Sequence, residues 1–240
     1  MNKILIITGG SKGIGKGIIE AYLSEGYEVF SISRTSNKEF KDVTQIEFDL
    51  SKTDGIAALL TGVFENFKST EVEKITLINN AGTLGQIGKI EAIADIEKTV
   101  QLNTVAPLIL TSTFISLAKN WVCEKKIINI SSGAAYKPYY GWSIYGATKA
   151  AIDMMTKTVA VEQDNVENGV KIIAIYPGVV DTAMQAQIRQ SDKESFANID
   201  RFLGLKATNS LANAATVGRQ IFAIDQDSGI ENGALIRVEE

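Results

Sequence analysis

Seven short runs rich in isoleucine and valine recur along the chain, most of them spaced widely enough to leave room for a helix between neighbours. They fall at 3–7, 27–33, 44–48, 74–79, 125–130, 170–175 and 234–238. Helical patterns lie near 14–25, 53–69, 92–119, 142–164 and 208–224. A strand that returns through a helix to another strand makes a crossover connection, and such units stack into a parallel sheet. The runs are apolar at successive positions, not at every second one, so both faces of the sheet must be covered. The expected fold is therefore α/β: one domain over 1–240, with a doubly wound parallel sheet of about seven strands and helices on both faces. One long polar stretch, 177–207, shows no strand character and reads as a loop with one or two short helices. A segment of that length inside a compact domain usually serves a site, so a substrate lid is expected within about 180–207.

Composition narrows the chemistry. A chain of 240 residues can bury roughly 70–75% of its unfolded surface and needs no disulfide or metal staple. Cys123 is the one cysteine, which rules out an intrachain disulfide and points to a reducing, cytoplasmic setting. There is no histidine, so Ser-His-Asp and Cys-His catalysis and His-ligated zinc are excluded together, and no metal site is expected. The net charge of −4 argues against a nucleic-acid partner. The apolar run Ile4–Ile7 is too short for a signal peptide, and no run reaches membrane-span length, so no membrane partner is expected.

The first strand runs into Thr8-Gly9-Gly10-Ser11-Lys12-Gly13-Ile14-Gly15, and a helix pattern follows. Glycines in such a turn let backbone N–H groups approach a phosphate at the helix N-terminus. Gly10 to Lys16 also fits most of a P-loop, but the position that must be Ser or Thr is Gly17, which disfavours nucleotide hydrolysis. A bare strand-to-helix turn without ligand remains a third reading. The end of the second strand holds Ser33-Arg34-Thr35 and no acid. An acid there would bond a ribose 2′-hydroxyl, whereas Arg34, with Lys12 in the turn, suits a 2′-phosphate. NADP(H) is the expected cofactor.

The segment 129–150 carries Ser132 at a strand end, with Tyr145 and Lys149 four apart on one helix face. Tyrosine ionises near pH 10, and a neighbouring ammonium lowers that value, which makes Tyr145 a candidate proton donor in a chain without histidine. Pro107 follows Asn103 by four residues and has no N–H to offer the Asn103 carbonyl. That carbonyl could hold a water, or the proline could simply kink the helix.

Taken in order, Thr8-Gly9 to Gly15, Asn79-Asn80-Ala81-Gly82, Asn103, Ser132, Tyr145-x-x-x-Lys149 and Pro177-Gly178 resemble the short-chain dehydrogenase/reductase family along essentially the whole chain. The resemblance implies a Rossmann-like domain and NADPH-dependent carbonyl reduction. It assigns proton donation to Tyr145, the carbonyl oxygen to Ser132, the nicotinamide ribose to Lys149 and a water relay to Asn103. It places Gly9, Ser11, Lys12, Gly13, Ile14, Gly15, Ser33, Arg34, Asp49, Leu50, Asn79, Ala81, Gly82, Pro177, Gly178, Val180 and Thr182 around the cofactor. Asp49 would meet the adenine amino group, although an acid just before Ser51 also suits a turn cap. Within the family, 131–145 and 184–189 look nearest to bacterial benzil reductases that form (S)-benzoin, with sepiapterin reductases next. Arg237 falls where the latter carry an acid for the pterin, so the expected substrate is instead a 1,2-diketone reduced to a 2-hydroxy ketone. Ala134, Tyr139, Trp142 and Met184, with Ser132 and Tyr145, would surround a flat, uncharged molecule. Pterin side-chain reduction and a non-catalytic NADP(H) sensor are the alternatives. A homodimer or tetramer packed on 92–119 and 142–164 is also implied.

Overall fold

A computed structural model describes residues 1–238. The strands are β1 (Asn2–Thr8), β2 (Glu28–Ser33), β3 (Val43–Glu47), β4 (Val72–Asn79), β5 (Glu124–Ile130), β6 (Lys171–Tyr176) and β7 (Leu235–Arg237). They form one sheet in the order β3-β2-β1-β4-β5-β6-β7, with every neighbouring pair parallel. All seven expected strands form. The helices are α1 (Gly13–Ser24), α2 (Ile56–Phe64), α3 (Ile96–Val100), α4 (Ala106–Ala118), α5 (Ser143–Gln163), α6 (Ala183–Arg189), α7 (Ile199–Ala207) and α8 (Ala214–Gln226).

Strand alternation divides the apolar residues between two layers. Ile4, Ile6, Ile75, Leu77, Ile127 and Ile172 pack under α2, α4 and α5. Leu5, Ile7, Ile78, Ile128, Ile173 and Ile175 pack under α1 and α8. That is why the strands read as unbroken apolar runs. On the second face α1 and α8 touch backbone to backbone. A Cβ at Gly17 would lie 2.1 Å from the Ala214 carbonyl oxygen, and one at Gly218 would lie 2.2 Å from the Gly17 carbonyl. At the N-terminal edge of the sheet, Lys74 and Lys126 meet the fully buried Asp225 of α8, each at 3.2 Å.

Two segments differ from the sequence reading. The helix expected over 53–69 is only α2, because the Asn66 side chain turns back to bond the Gly62 and Val63 carbonyls, each at 3.0 Å, and closes the helix end. The helix expected over 92–119 is α3 and α4 joined by a π turn, Gln101–Val105, in which the Ala106 N–H donates to the Gln101 carbonyl. A wider turn is one way for a helix to absorb the N–H that Pro107 lacks, so the expected kink takes that form. By length and a mean hydropathy of 1.4, the run Ile96–Ala118 could cross a membrane. Its residues Ala106, Leu110, Phe114 and Ala118 are spent instead on the core beneath the sheet. The polar stretch 177–207 holds two helices, α6 and α7.

Candidate active site

Chain connections from β1 and β4 diverge to opposite sides of the sheet, and an α/β sheet opens a crevice at such a switch point. A cleft of about 1740 Å³ lies there. Every site residue named from the sequence lines it except Asn79 and Asn103.

At one end Gly9 and Gly13 adopt left-handed backbone (φ 69° and 57°). A Cβ at Gly15 would lie 2.2 Å from the Gly9 carbonyl oxygen. The turn is therefore built of bare backbone ahead of α1, as a phosphate cradle requires. It is tied to the end of β4 by Asn80, whose side chain donates to the Thr8 and Gly9 carbonyls at 2.9 and 3.1 Å. Ser11 and Ile14 continue the wall, with Ala81 and Gly82 facing them. Lys12 and Arg34 both reach the cleft. The buried Ser33 hydroxyl beside Arg34 has no partner among the described residues. A glycine cradle, two cations and an orphaned hydroxyl fit a phosphorylated dinucleotide. Asp49 and Leu50 close this end. One Asp49 carboxylate oxygen accepts from both the Ser51 hydroxyl (2.8 Å) and the Ser51 amide (3.1 Å). The Ser51 hydroxyl chiefly holds this carboxyl below its ordinary range, with smaller help from Arg34 and Lys98. Asp49 thus caps a turn and lines the cleft at once.

Asn79 requires a correction. It continues the alternation of Ile75 and Leu77 into the helix-covered layer, where it donates to Asn129 (2.8 Å) and Thr111 (3.3 Å). Asn80, the first residue past the strand, takes the cleft position instead. Strand parity carried that signal in the sequence.

Ser132 follows β5 and caps a single 3-10 turn, accepting from the Ala134 amide at 3.2 Å. Its hydroxyl also bonds the Tyr145 phenol. Tyr145 and Lys149 occupy the first turns of α5, with the Lys149 Nζ 5.8 Å from the Tyr145 ring centre and donating to the Ile130 carbonyl at 2.7 Å. Burial raises the Tyr145 phenol above its ordinary value, and the Ser132 bond offsets only part of that. The lowering that the sequence reading ascribed to Lys149 does not appear, and the phenol keeps its proton. Burial also pushes Lys149 down to about 8, while the charge of Asp153 raises it. Asp153 lies one turn further along α5, buried, and accepts from the Ser131 hydroxyl (2.6 Å) and from the Tyr176 hydroxyl.

Asn103 is buried behind the cleft. Its side chain accepts from the Thr83 amide (2.9 Å) and donates to the Thr83 carbonyl (2.8 Å) and Thr148 (3.2 Å). The side chain is fully engaged in fastening the loop after β4 to α5.

Beyond Tyr145 the wall is aromatic. Trp142 stacks on Phe196 at 4.8 Å and meets Tyr139 at 4.9 Å, with Ala134 and Met184 beside them. Phe196 and Phe202 come from the 177–207 segment, and sequence reasoning missed both, along with Tyr136 and Arg201. Pro177, Gly178, Val180 and Thr182 lead from β6 into that segment. It is held by the Val180–Ala212 bridge and by Lys206 donating to Asp181 at 2.8 Å.

Residues 3–193 match the family described as short chain dehydrogenase. The chain is 40% identical over 249 residues to a benzil reductase ((S)-benzoin forming) of Bacillus cereus, covering 99% of this chain and 100% of that protein. It is 36% identical over 241 residues to the Bacillus subtilis (strain 168) enzyme of the same name, covering 99% of each. A sepiapterin reductase of Rattus norvegicus is 28% identical, with 96% of this chain and 94% of that protein covered. Among solved structures, a short chain dehydrogenases/reductase from Saccharomyces cerevisiae superposes with a TM-score of 0.85 at 25% identity, covering 100% of this chain and 97% of that one. ElxO with NADP bound superposes with a TM-score of 0.81 at 25% identity, covering 99% and 97%.

Proposed function

Because the chain belongs to the short-chain dehydrogenase family, an oxidoreductase family, we propose that it is an NADPH-dependent reductase that converts one carbonyl of a 1,2-diketone to the alcohol. The observation that carries this reading is the meeting of Ser132, a protonated Tyr145 and Lys149 in one cleft with the glycine cradle. When bound, the reduced nicotinamide supplies the hydride. The chain's own residues do the rest. Ser132 and Tyr145 direct hydroxyl donors at the carbonyl oxygen, where negative charge grows as the bond is reduced. Tyr145 then releases its proton to that oxygen. Lys149, buried and cationic below about pH 8, stabilises the phenolate left behind. The Asn103 carbonyl, which Pro107 cannot serve as a donor, would hold a water on the path that returns the proton. An adjacent carbonyl makes the first a better hydride acceptor, and Trp142, Tyr139, Ala134 and Met184 offer a flat apolar wall.

Lys12 and Arg34 carry the preference for NADPH. Charge-assisted bonds to a 2′-phosphate contribute about 1.5–3 kcal/mol each, enough for a preference of about tenfold or more over NADH. NADPH and NADH oxidation are compared on addition of benzil, in the unmutated protein and in Lys12→Ala/Arg34→Ala. The double variant should lose NADPH affinity and leave NADH nearly untouched. Equal kinetics with both cofactors in the unmutated protein would overturn the assignment. The segment 180–207 serves as the substrate lid of a single 1–240 domain. The exposed Leu108 on α4 and Met154 and Val161 on α5 support a homo-oligomer packed on those helices. A cytoplasmic location rests on the single cysteine, Cys123.

A further inference from the structure

Two arginines approach the reacting end of the cleft from opposite walls. The register of the edge strand pairs Arg237 with Tyr176, so Arg237 stands at the C-terminal edge of the sheet and lines the cleft. Its guanidinium donates to the Tyr136 hydroxyl and lies 4.9 Å from that ring's centre. The same hydroxyl is anchored beside the turn that carries Ser132, since a Cβ at Gly133 would lie 3.5 Å from it. Arg237 therefore flanks the residue assigned to the carbonyl oxygen. From the other wall, α7 presents Arg201, which donates to the Tyr139 hydroxyl at 2.9 Å and lies 5.6 Å from the Phe202 ring centre.

Among the described residues neither arginine has a carboxylate partner. The acids that line the cleft are Asp49, Asp95 and Asp181. Asp49 faces the cradle end with Arg34 and Lys98, Asp95 opens the helix that carries Lys98, and Asp181 is taken by Lys206 (2.8 Å) and Arg189 (3.9 Å). A guanidinium has five N–H donors, and a phenol oxygen uses few of them. Each arginine is held in place by a tyrosine and stacked on a ring, which leaves the rest of its donor fork for a ligand. A planar fork over an apolar floor matches a carboxylate.

We propose that the natural substrate carries a carboxylate beyond the diketone, received by Arg237 with Arg201 closing on it from the lid. This rests on the carbonyl-reductase reading and replaces the uncharged substrate expected from the sequence. The test compares kcat/KM for benzil and for benzil-4-carboxylate with NADPH, at low and high salt, in the unmutated protein and in Arg237→Met, Arg237→Lys and Arg201→Met. The carboxylated diketone should be favoured about tenfold or more, the scale of one charge-assisted bond, and the advantage should shrink as salt rises. Arg237→Met should abolish most of that ratio, Arg237→Lys should keep part of it, and Arg201→Met should lower it less. No advantage in the unmutated protein, or a ratio unchanged in Arg237→Met, overturns the proposal. Benzil turnover without a carboxylate advantage defeats this inference alone, whereas failure to reduce either diketone defeats the reductase reading and this inference with it. The ratio and its salt dependence in the unmutated protein decide the matter even if a variant fails to fold.

Discussion

Lys149 is buried where a charge is costly, and burial depresses it from 10.5 to about 8. Between those two values the unfolded chain binds more protons than the folded one, so this group makes stability rise with pH across that window. Below about 8 its full cost is present. Asp153 works against the depression. Asp153→Asn should lower Lys149 further and move the alkaline limb of the kcat/KM profile towards acid. A residue of merely structural weight would reduce activity evenly at every pH, and that result would refute the electrostatic role. Tyr145→Phe keeps the ring and removes the proton. Turnover should fall at least about a hundredfold, the usual scale of general acid catalysis, while NADPH binding, followed by fluorescence, is retained. At this scale the sequence exposed what lies close along the chain. The spacing of Ser132, Tyr145 and Lys149 is local, and so is the cradle. Asn79 was misplaced because a motif was read without strand parity. Tyr136, Arg201 and the cleft-facing role of Arg237 depend on residues 62 and 101 positions apart meeting in the fold, which no spacing announces.

The helices show how local signals lose to neighbours. Periodicity located the long helices but not α6 and α7, and α2 ends early because Asn66 offers its own amide to the last carbonyls. Pro107 marked a disturbance correctly, but only the π register at Gln101–Val105 shows how the backbone resolves it. Gly17 carries the clearest lesson. In the sequence it was the defect in a phosphate-hydrolysing motif. In the structure it is the contact point of α1 with α8, where a Cβ would meet backbone at 2.1 Å. Gly17→Ser would complete the motif and should still hydrolyse no nucleotide. It should instead cost about 1–3 kcal/mol or more, the range for overpacking a tight contact, read by urea denaturation. Unaltered stability would mean the two helices separate freely.

At the scale of the molecule, the covered parallel sheet was the part most readily inferred, because unbroken apolar runs admit few other arrangements, while the order of its strands came only from the structure. The cleft follows from that order, since β1 and β4 send their connections to opposite sides. The packing of the 177–207 segment does not follow, because its aromatic residues acquire meaning only when Phe196 meets Trp142. The arginines are distributed as unevenly as the aromatics. Of the chain's five, Arg34, Arg201 and Arg237 all line the one cleft. Vicinal diketones are electrophiles that condense with guanidinium groups, so under the proposed function the protein exposes its own binding groups to covalent attack. Butane-2,3-dione without NADPH should inactivate the protein progressively, and NADP⁺ should slow the loss by shielding Arg34. Peptide mapping should find the adducts on the cleft arginines ahead of Arg219. Activity that survives long incubation would show that the arginine forks are sealed against condensation. If the adducts form, the useful lifetime of each molecule is set by how quickly hydride removes the second carbonyl, and catalysis becomes the protein's protection against its own substrate.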